Sequence, residues 1–177
     1  FKNKINFSIV RAGNIIGGGD WNRSRLIPDI YYSLMTDKKI IIRNPNAVRP
    51  WQHILDVLNA IILILVKNEK KIILKSQIYN IGPNLRSNIK VIDLVKKIKS
   101  LSNFKNFKYK VNKIKFKETK ILKLSNKLIK KKLSWKPKLD INKSIKLTNL
   151  WYDFFTKNNR KIFNYTEKEI INFLNLK

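Results

Sequence analysis

Short apolar runs alternate with longer amphipathic segments along the chain. Residues 5–11 (INFSIVR) form a β-branched run that predicts a buried strand, and residues 77–81 (QIYNI) predict a second one. An apolar segment that is capped by Asp56 and runs to about Asn68 predicts a helix before the second strand. Because parallel strands need a crossover, we expect the two strands to be parallel neighbours in one sheet, with this helix connecting them.

Capping side chains and apolar spacing predict the remaining elements. Residues 25–36, 88–101 and 141–156 have helical apolar spacing, while residues 40–43 and the lysine-alternating residues 104–116 are typical of strands. The candidate N-caps of the helices are Ser24, Ser87 or Asn88, Ser125, Asp140 and a capping box formed by Thr166 and Glu169. Strands interleave with helices and no linker or repeat divides the chain, so we expect an α/β fold.

The composition excludes several kinds of site. The 177 residues are 44% hydrophobic and 11% aromatic, which is typical of a globular chain. Cysteine is absent and His53 is the single histidine, which excludes disulfides, thiolate metal sites and the usual transition-metal clusters. The longest apolar run, residues 60–66, is much shorter than the roughly 20 residues of a membrane span. The default expectation is a cytoplasmic location without membrane contact.

The distribution of charge matters more than its sum. A net charge of +28 would ordinarily indicate a nucleic-acid partner. However, most of the excess is lysine scattered after residue 60 among abundant asparagine and isoleucine, as codon bias in an AT-rich genome produces. Five of the seven arginines instead lie in the first 49 residues, where lysine is scarce. The planar guanidinium suits oxyanion recognition, so we expect a ligand site there and no specific nucleic-acid partner.

Three segments in this arginine-rich part carry a recognisable pattern. They are SIVRAGNIIGGGDW (residues 8–21), RLIPDI (residues 25–30) and IRNPNAVRPWQHI (residues 42–54). Their order and spacing resemble the nucleotide-sugar branch of the extended short-chain dehydrogenase/reductase family, which has Arg-x-x-Asn-x-x-Gly after a strand, then a basic residue before Leu-Ile-Pro, then Arg-x-Trp. The narrower GGGDW and RPWQH runs resemble the CDP-glucose 4,6-dehydratases of that branch.

The resemblance covers nearly the whole chain and corresponds to the C-terminal half of the family members. It implies the last strands of a Rossmann-type parallel sheet and the substrate loops in about residues 1–83, and a mainly helical substrate-binding lobe in about residues 84–177. The N-terminal NAD-binding part is expected to be absent, since the first residue is Phe1 rather than methionine and a strand-like segment begins almost at once at Ile5. The implied substrate is a nucleotide sugar such as CDP-glucose, and the complete enzyme is expected to be a homodimer.

The resemblance also assigns substrate-binding roles. Arg25 and Arg49 are expected to hold the diphosphate, since a guanidinium binds phosphate oxygens with two charge-assisted hydrogen bonds. Asn14 is expected to donate its side-chain amide there, and Leu26 and Ile27 to line the base pocket. Glycines 17–19 are expected to let the backbone approach the ligand, since they carry no Cβ.

The chemistry of a 4,6-dehydratase needs groups that we do not find in the sequence. By the resemblance, the complete enzyme uses NAD to oxidise C4 of the sugar, eliminates water across C5–C6 and returns the hydride to C6. The Gly-x-x-Gly-x-x-Gly turn that binds the NAD pyrophosphate has no match here. Tyr109-x-x-x-Lys113 matches the catalytic Tyr-x-x-x-Lys pair only by chance, because it has no helical context. We therefore expect no catalytic or cofactor-binding residues, and no dehydratase activity from this chain alone.

Several alternatives stay open at this stage. The chain could come from a dTDP-glucose or GDP-mannose dehydratase or from an epimerase, or it could be a basic nucleic-acid-binding protein. His53 is expected to be structural, while Trp21 and Trp51 could lie in the core or face the sugar. Glu118 lies near a family position close to the substrate, but its neighbours depart from the pattern and it is left out of the site.

Overall fold

The computed structural model describes residues 7–70, 76–102, 108–111 and 119–176. The first half contains β1 (Ser8–Ala12), β2 (Asn14–Ile16), α1 (Leu26–Thr36), β3 (Ile40–Ile42), β4 (Val48–His53), α2 (Ile54–Glu69) and β5 (Gln77–Ile81). The second half contains β6 (Asn88–Lys90), α3 (Val91–Leu101), β7 (Tyr109–Val111), α4 (Lys127–Leu133), α5 (Ile141–Asn158) and α6 (Ile162–Leu174). Short 3-10 turns at Leu85–Ser87 and Asn159–Lys161 precede β6 and α6.

The predicted neighbouring strands form a parallel pair. β1 and β5 are hydrogen-bonded in register, from Ser8 opposite Gln77 to Ala12 opposite Ile81. α2 is the last element of the connection between them, and it packs on one face of this sheet through the cluster that contains Val57 and Tyr79. The expected α/β fold and its parallel strands are therefore confirmed, with residues 5 and 6 of the predicted strand outside the described ranges.

No residue that the structure describes covers the opposite face of this two-stranded sheet. Phe7, Ile9 and Ile78 are 55%, 43% and 43% exposed. Parallel strands are normally covered on both faces, which is why they are apolar throughout. The sequence of β1 thus has the pattern of a strand packed on both sides, whereas the described chain covers it on one side only.

A second, larger core joins the remaining strands to the helices of the second half. β2 pairs with β4 in parallel, β4 pairs with β6 in the antiparallel direction, and β3 pairs with β7 in parallel. The core between these strands and α1, α3 and α5 is almost entirely apolar and aromatic. Its fully buried members include Ile30, Tyr31, Leu94, Ile145 and Tyr152. No helix in the described ranges is long and apolar enough to cross a membrane.

Three helix starts differ from the sequence predictions because other contacts take the predicted caps. α1 begins after Arg25 rather than Ser24, which has a φ of 71° and donates its backbone N–H to Asp29. α3 begins after Lys90, because the predicted cap residues Ser87 and Asn88 belong to a 3-10 turn and to β6. α4 begins after Asn126, although the Ser125 hydroxyl still accepts from the N–H of Lys127 at 3.4 Å.

Of the two helix N-caps predicted for the C-terminal part of the chain, one is confirmed and the other is wrong. Asp140 caps α5 as predicted, and its carboxylate accepts from the N–H of Lys143 at 2.8 Å. The predicted capping box at Thr166 is wrong, because α6 already begins at Ile162. The Thr166 hydroxyl instead donates to the Ile162 carbonyl and accepts from Trp151 Nε1, both at 2.8 Å. Of the predicted strand at residues 104–116, the structure describes 108–111, with the strand itself at 109–111.

Asp56 was also expected to be a cap, but the structure gives it a longer-range role. α2 begins two residues earlier, with His53 as its N-cap. The buried Asp56 carboxylate accepts from the backbone N–H groups of Lys138 (2.7 Å) and Leu139 (3.2 Å), which lie more than 80 positions away. Burial raises the pKa of Asp56 to about 6, and the two N–H donors and the charge of Lys138 only partly oppose this. Asp56 therefore connects α2 to the segment that leads into α5.

This raised pKa predicts a pH-dependent stability. The folded state binds the Asp56 proton more tightly than the unfolded state, so stability is lost as pH rises from about 4 through about 6, by about 3 kcal/mol for this group. Asp56→Asn has no such titration. We expect its deficit in unfolding free energy relative to the wild type to shrink between pH 4 and pH 7, as measured by urea unfolding.

A deficit that stays constant across this pH range would contradict the raised pKa of Asp56. The comparison with the variant is needed because two other groups titrate in or near the same pH range. Burial raises the pKa of Glu169 to about 7, which adds a slope of the same sign, and lowers the pKa of His53 to about 4, which adds the opposite sign. Both contributions cancel in the difference between wild type and Asp56→Asn.

Candidate functional site

A cavity of about 1000 Å³ opens between β2, the glycine loop that follows it, the start of α1, β3 and β4. The residues predicted to bind substrate all line it: Asn14, Arg25, Leu26, Ile27 and Arg49. They reach one cavity because β2 pairs in parallel with β4, which places Asn14 opposite Trp51. The fold therefore brings together side chains that are up to 35 positions apart in the sequence.

Arg49 lies in the wall of this cavity on β4. It is 7% exposed, and its Nη1 donates to the carbonyl oxygens of Val48 (2.9 Å) and Thr119 (2.8 Å). Thr119 directly follows Glu118, which itself lies outside the described residues. The two carbonyls hold the guanidinium in place, and Arg49 is one of the residues that line the cavity.

Arg25 occupies the cavity mouth at the N-cap of α1. Its side chain is exposed, and Nη1 lies 3.3 Å from the Asp20 carboxylate. An exposed ion pair of this kind contributes little to stability, so a phosphate could replace the carboxylate at small cost. The backbone carbonyl of Asp20 accepts from the Tyr152 hydroxyl at 2.6 Å, which attaches the loop before Arg25 to α5.

The N-terminus of α1 adds a second feature suited to anions. Arg25 makes no side-chain capping hydrogen bond, and Leu26 and Ile27 begin the helix on the cavity surface. Backbone N–H groups in a first helical turn have no partner within the helix, and the helix dipole favours negative charge there. Because Pro28 has no N–H, a diphosphate at this end of the cavity would meet the N–H groups of Leu26 and Ile27 together with Arg25.

The glycine loop has a role that differs from the expected one. A Cβ on Gly18 would lie 2.0 Å from Cγ of Trp151, and a Cβ on Gly17 would lie 2.6 Å from Cγ2 of Ile54. Gly19 has a φ of +83°, in the left-handed region that favours glycine. Although Gly17 and Gly18 line the cavity, the close approaches that require their missing Cβ are to protein side chains.

The structure separates the roles of the two tryptophans. Trp21 is 5.1 Å from Tyr152 and 5.0 Å from Phe155 between ring centroids, so it packs on α5 and does not line the cavity. Trp51 is buried, donates from Nε1 to the Ile89 carbonyl at 3.2 Å and also lines the cavity. Trp21 is therefore a packing residue, whereas Trp51 is at once core and cavity wall.

His53 is structural, as expected. It is 1% exposed, and its Nδ1 accepts from the N–H of Leu55 at 3.4 Å as the N-cap of α2. Burial lowers the pKa of His53 to about 4, so the imidazole is neutral at pH 7. A neutral ring that accepts at Nδ1 carries its proton on Nε2.

Some cavity residues were not assigned by the sequence patterns. Asp20 and Asp29 contribute carboxylates, and Ile40, Ile42 and Val91 contribute apolar surface. Arg43, which follows β3, also lines the cavity. Two signals could have identified Arg43: the clustering of arginine in the first 49 residues and its place in the third motif segment.

Comparison with known sequences finds one matching family model and a curated relative. The family model for GDP-mannose 4,6 dehydratase matches residues 22–148. A curated CDP-glucose 4,6-dehydratase from Salmonella typhimurium is 44% identical over 79 residues, which is 45% of this chain and 22% of that protein.

Solved structures of similar fold cover most of the chain. A UDP-glucose-4-epimerase from Stenotrophomonas maltophila, with bound NAD and formylated UDP-arabinopyranose, has a TM-score of 0.72 at 16% identity. The match covers 86% of this chain and 49% of that one. A dTDP-glucose 4,6-dehydratase from Bacillus anthracis in complex with NAD has a TM-score of 0.67 at 23% identity, over 86% of this chain and 45% of that one. The chain thus spans about half the length of these structures.

The packing of Gly18 can be tested by adding its missing methyl group. We expect Gly18→Ala to lower the unfolding free energy by about 1–3 kcal/mol, because the new Cβ overlaps the Trp151 ring. Gly19→Asn is the matched control, since asparagine tolerates a positive φ and the Cβ at this position lies 3.5 Å from Trp151. Denaturant unfolding measures both, and a Gly18→Ala variant as stable as the wild type would contradict this packing.

Proposed function

The chain belongs to the GDP-mannose 4,6 dehydratase family, and we propose that it supplies the nucleotide-sugar-binding part of a CDP-glucose 4,6-dehydratase-like enzyme. The observation that carries the proposal is the convergence of Asn14, Arg25 and Arg49 on one cavity. The similarity to the Salmonella CDP-glucose 4,6-dehydratase supports the choice of CDP-glucose within the family.

The proposed binding mode assigns a role to each side of the cavity. Arg25, Arg49 and the first turn of α1 bind the diphosphate, and Asn14 donates its amide to the same group. Leu26 and Ile27 pack against the nucleobase. A cavity of about 1000 Å³ is at the upper end of the size range of small-molecule sites, which suits a nucleoside diphosphate sugar.

NAD, which the family implies, does not fit the glycine loop of this chain. A pyrophosphate-binding turn needs open space above its glycines. Here Ile54 and Trp151 occupy the space next to Gly17 and Gly18. We propose that NAD binding and the proton transfers belong to an additional NAD-binding unit.

The uncovered face of the β1–β5 sheet is where such a unit would dock. Phe7, Ile9 and Ile78 form an apolar surface there, and β1 pairs with β5 on one side only among the described strands. An exposed apolar strand of this kind promotes pairing with other chains. We therefore expect the isolated chain to aggregate or to bind CDP-sugars only weakly.

Arg25 provides the direct test of the diphosphate site. Removing one charge-assisted hydrogen bond costs about 1.5–3 kcal/mol, so we expect Arg25→Gln to weaken CDP-glucose binding by about tenfold to a hundredfold. Arg23→Gln is the matched control. The Arg23 guanidinium forms an ion pair with the Asp29 carboxylate and lies over the Tyr32 ring, and Arg23 does not line the cavity. Ligand-observed NMR titration measures both, and equal losses in the two variants would contradict the assignment.

Turnover provides a second test. We expect the purified 177-residue chain with CDP-glucose and NAD to form no 4-keto-6-deoxy sugar, since the proposal places the redox and proton-transfer groups in another unit. Product is followed by its absorbance in alkali or by NMR. Any turnover that scales with the concentration of the chain would show that the chain contains catalytic groups of its own.

A further inference from the structure

Arg43 is a third arginine on the cavity, and it differs from the other two. Arg25 is paired with Asp20, and Arg49 donates to two backbone carbonyls. Arg43 is exposed at the end of β3, and within the described ranges it takes part in no hydrogen bond or ion pair. Its planar donor group is therefore available to a ligand.

The cavity residues that lie near Arg43 in the sequence are mostly apolar, with Asn44 as the polar exception. Ile40 and Ile42 of β3, Ala47 after the turn and Val91 at the start of α3 line the same cavity. Leu26 and Ile27 of α1 complete this apolar part of the lining, and none of these side chains can bind an anion. A flat, mostly apolar ring with a polar edge fits such a region, with the edge toward Arg43.

We propose that Arg43 reads the nucleobase and selects cytosine, an inference that rests on the proposed nucleotide-sugar function of the cavity. Cytosine presents two adjacent acceptors, O2 and N3. Two parallel N–H groups of a guanidinium match this pair, as they match other paired acceptors. Uracil and thymine carry a hydrogen on N3, so the same guanidinium would face one acceptor and one donor.

This role differs from that of a phosphate-binding arginine, and two variants separate the two roles. Arg43→Gln removes both the positive charge and the pair of parallel N–H donors, whereas Arg43→Lys keeps the charge and removes the paired donors. A phosphate contact tolerates lysine, and its strength does not depend on which base the nucleotide carries. Recognition of cytosine requires the two parallel N–H groups of the guanidinium. Their loss therefore weakens the binding of CDP but not that of UDP.

The experiment compares CDP and UDP as probes, since they differ only in the base. Binding to the 177-residue chain is measured by ligand-observed NMR for the wild type, Arg43→Gln and Arg43→Lys. Arg86→Gln, an exposed arginine that does not line the cavity, is the matched control. Far-UV circular dichroism checks that each variant is folded.

We expect the wild type to prefer CDP over UDP by about tenfold or more, the discrimination that one bidentate base contact provides. In both Arg43 variants CDP affinity should fall to that of UDP, while UDP affinity and the Arg86→Gln control stay unchanged. Equal weakening of CDP and UDP, a preference that survives in Arg43→Lys, or no effect of either variant would overturn the role of Arg43 but leave the proposed function standing. A folded, non-aggregated wild type that binds neither nucleotide at millimolar concentration, or prefers UDP, would instead contradict the proposed substrate.

Discussion

The parallel pairing of β2 with β4, from Asn14 opposite Trp51 to Ile16 opposite His53, is the contact on which the cavity depends. It places the segment after β1 beside a strand that begins more than 30 positions later. Arg49 then lies in the wall that Asn14 also lines, and α1 starts at the same opening. Without this strand pair, the three motif segments would have no reason to share a site.

The second half of the chain holds the mouth of the cavity in place. Tyr152 of α5 donates to the Asp20 carbonyl and stacks on Tyr31 of α1, with 3.8 Å between ring centroids. Trp21 packs on the same helix. The loop that carries Arg25 is thus held by α5, so the helical second half of the chain supports the cavity mouth.

The two cores of the protein differ in how completely they are covered. The core around α1, α3 and α5 is enclosed by the described chain, whereas the β1–β5 sheet is covered by α2 on one face only. Parallel sheets depend on both faces for their stability. This difference is consistent with our proposal that this chain binds the nucleotide sugar and that an additional unit covers the open face of the sheet.

Local sequence patterns determined those elements of this protein that depend on interactions between residues close together in the sequence. Short apolar runs identified β5 in full and the apolar helix before it. The carboxylate of Asp140, placed directly before a helical segment, identified the N-cap of α5. The motif segments, read through their family resemblance, identified five of the side chains that line the cavity.

Only the tertiary structure decided which of several possible partners each polar or small residue would take. Asp56 could cap its own helix, but it binds the N–H groups of Lys138 and Leu139 because those donors are buried beside it. Gly18 could face a ligand, but Trp151 fills the space where its Cβ would be. In both cases the deciding atoms lie more than 80 positions away along the chain, where a pattern of local spacing carries no information about them.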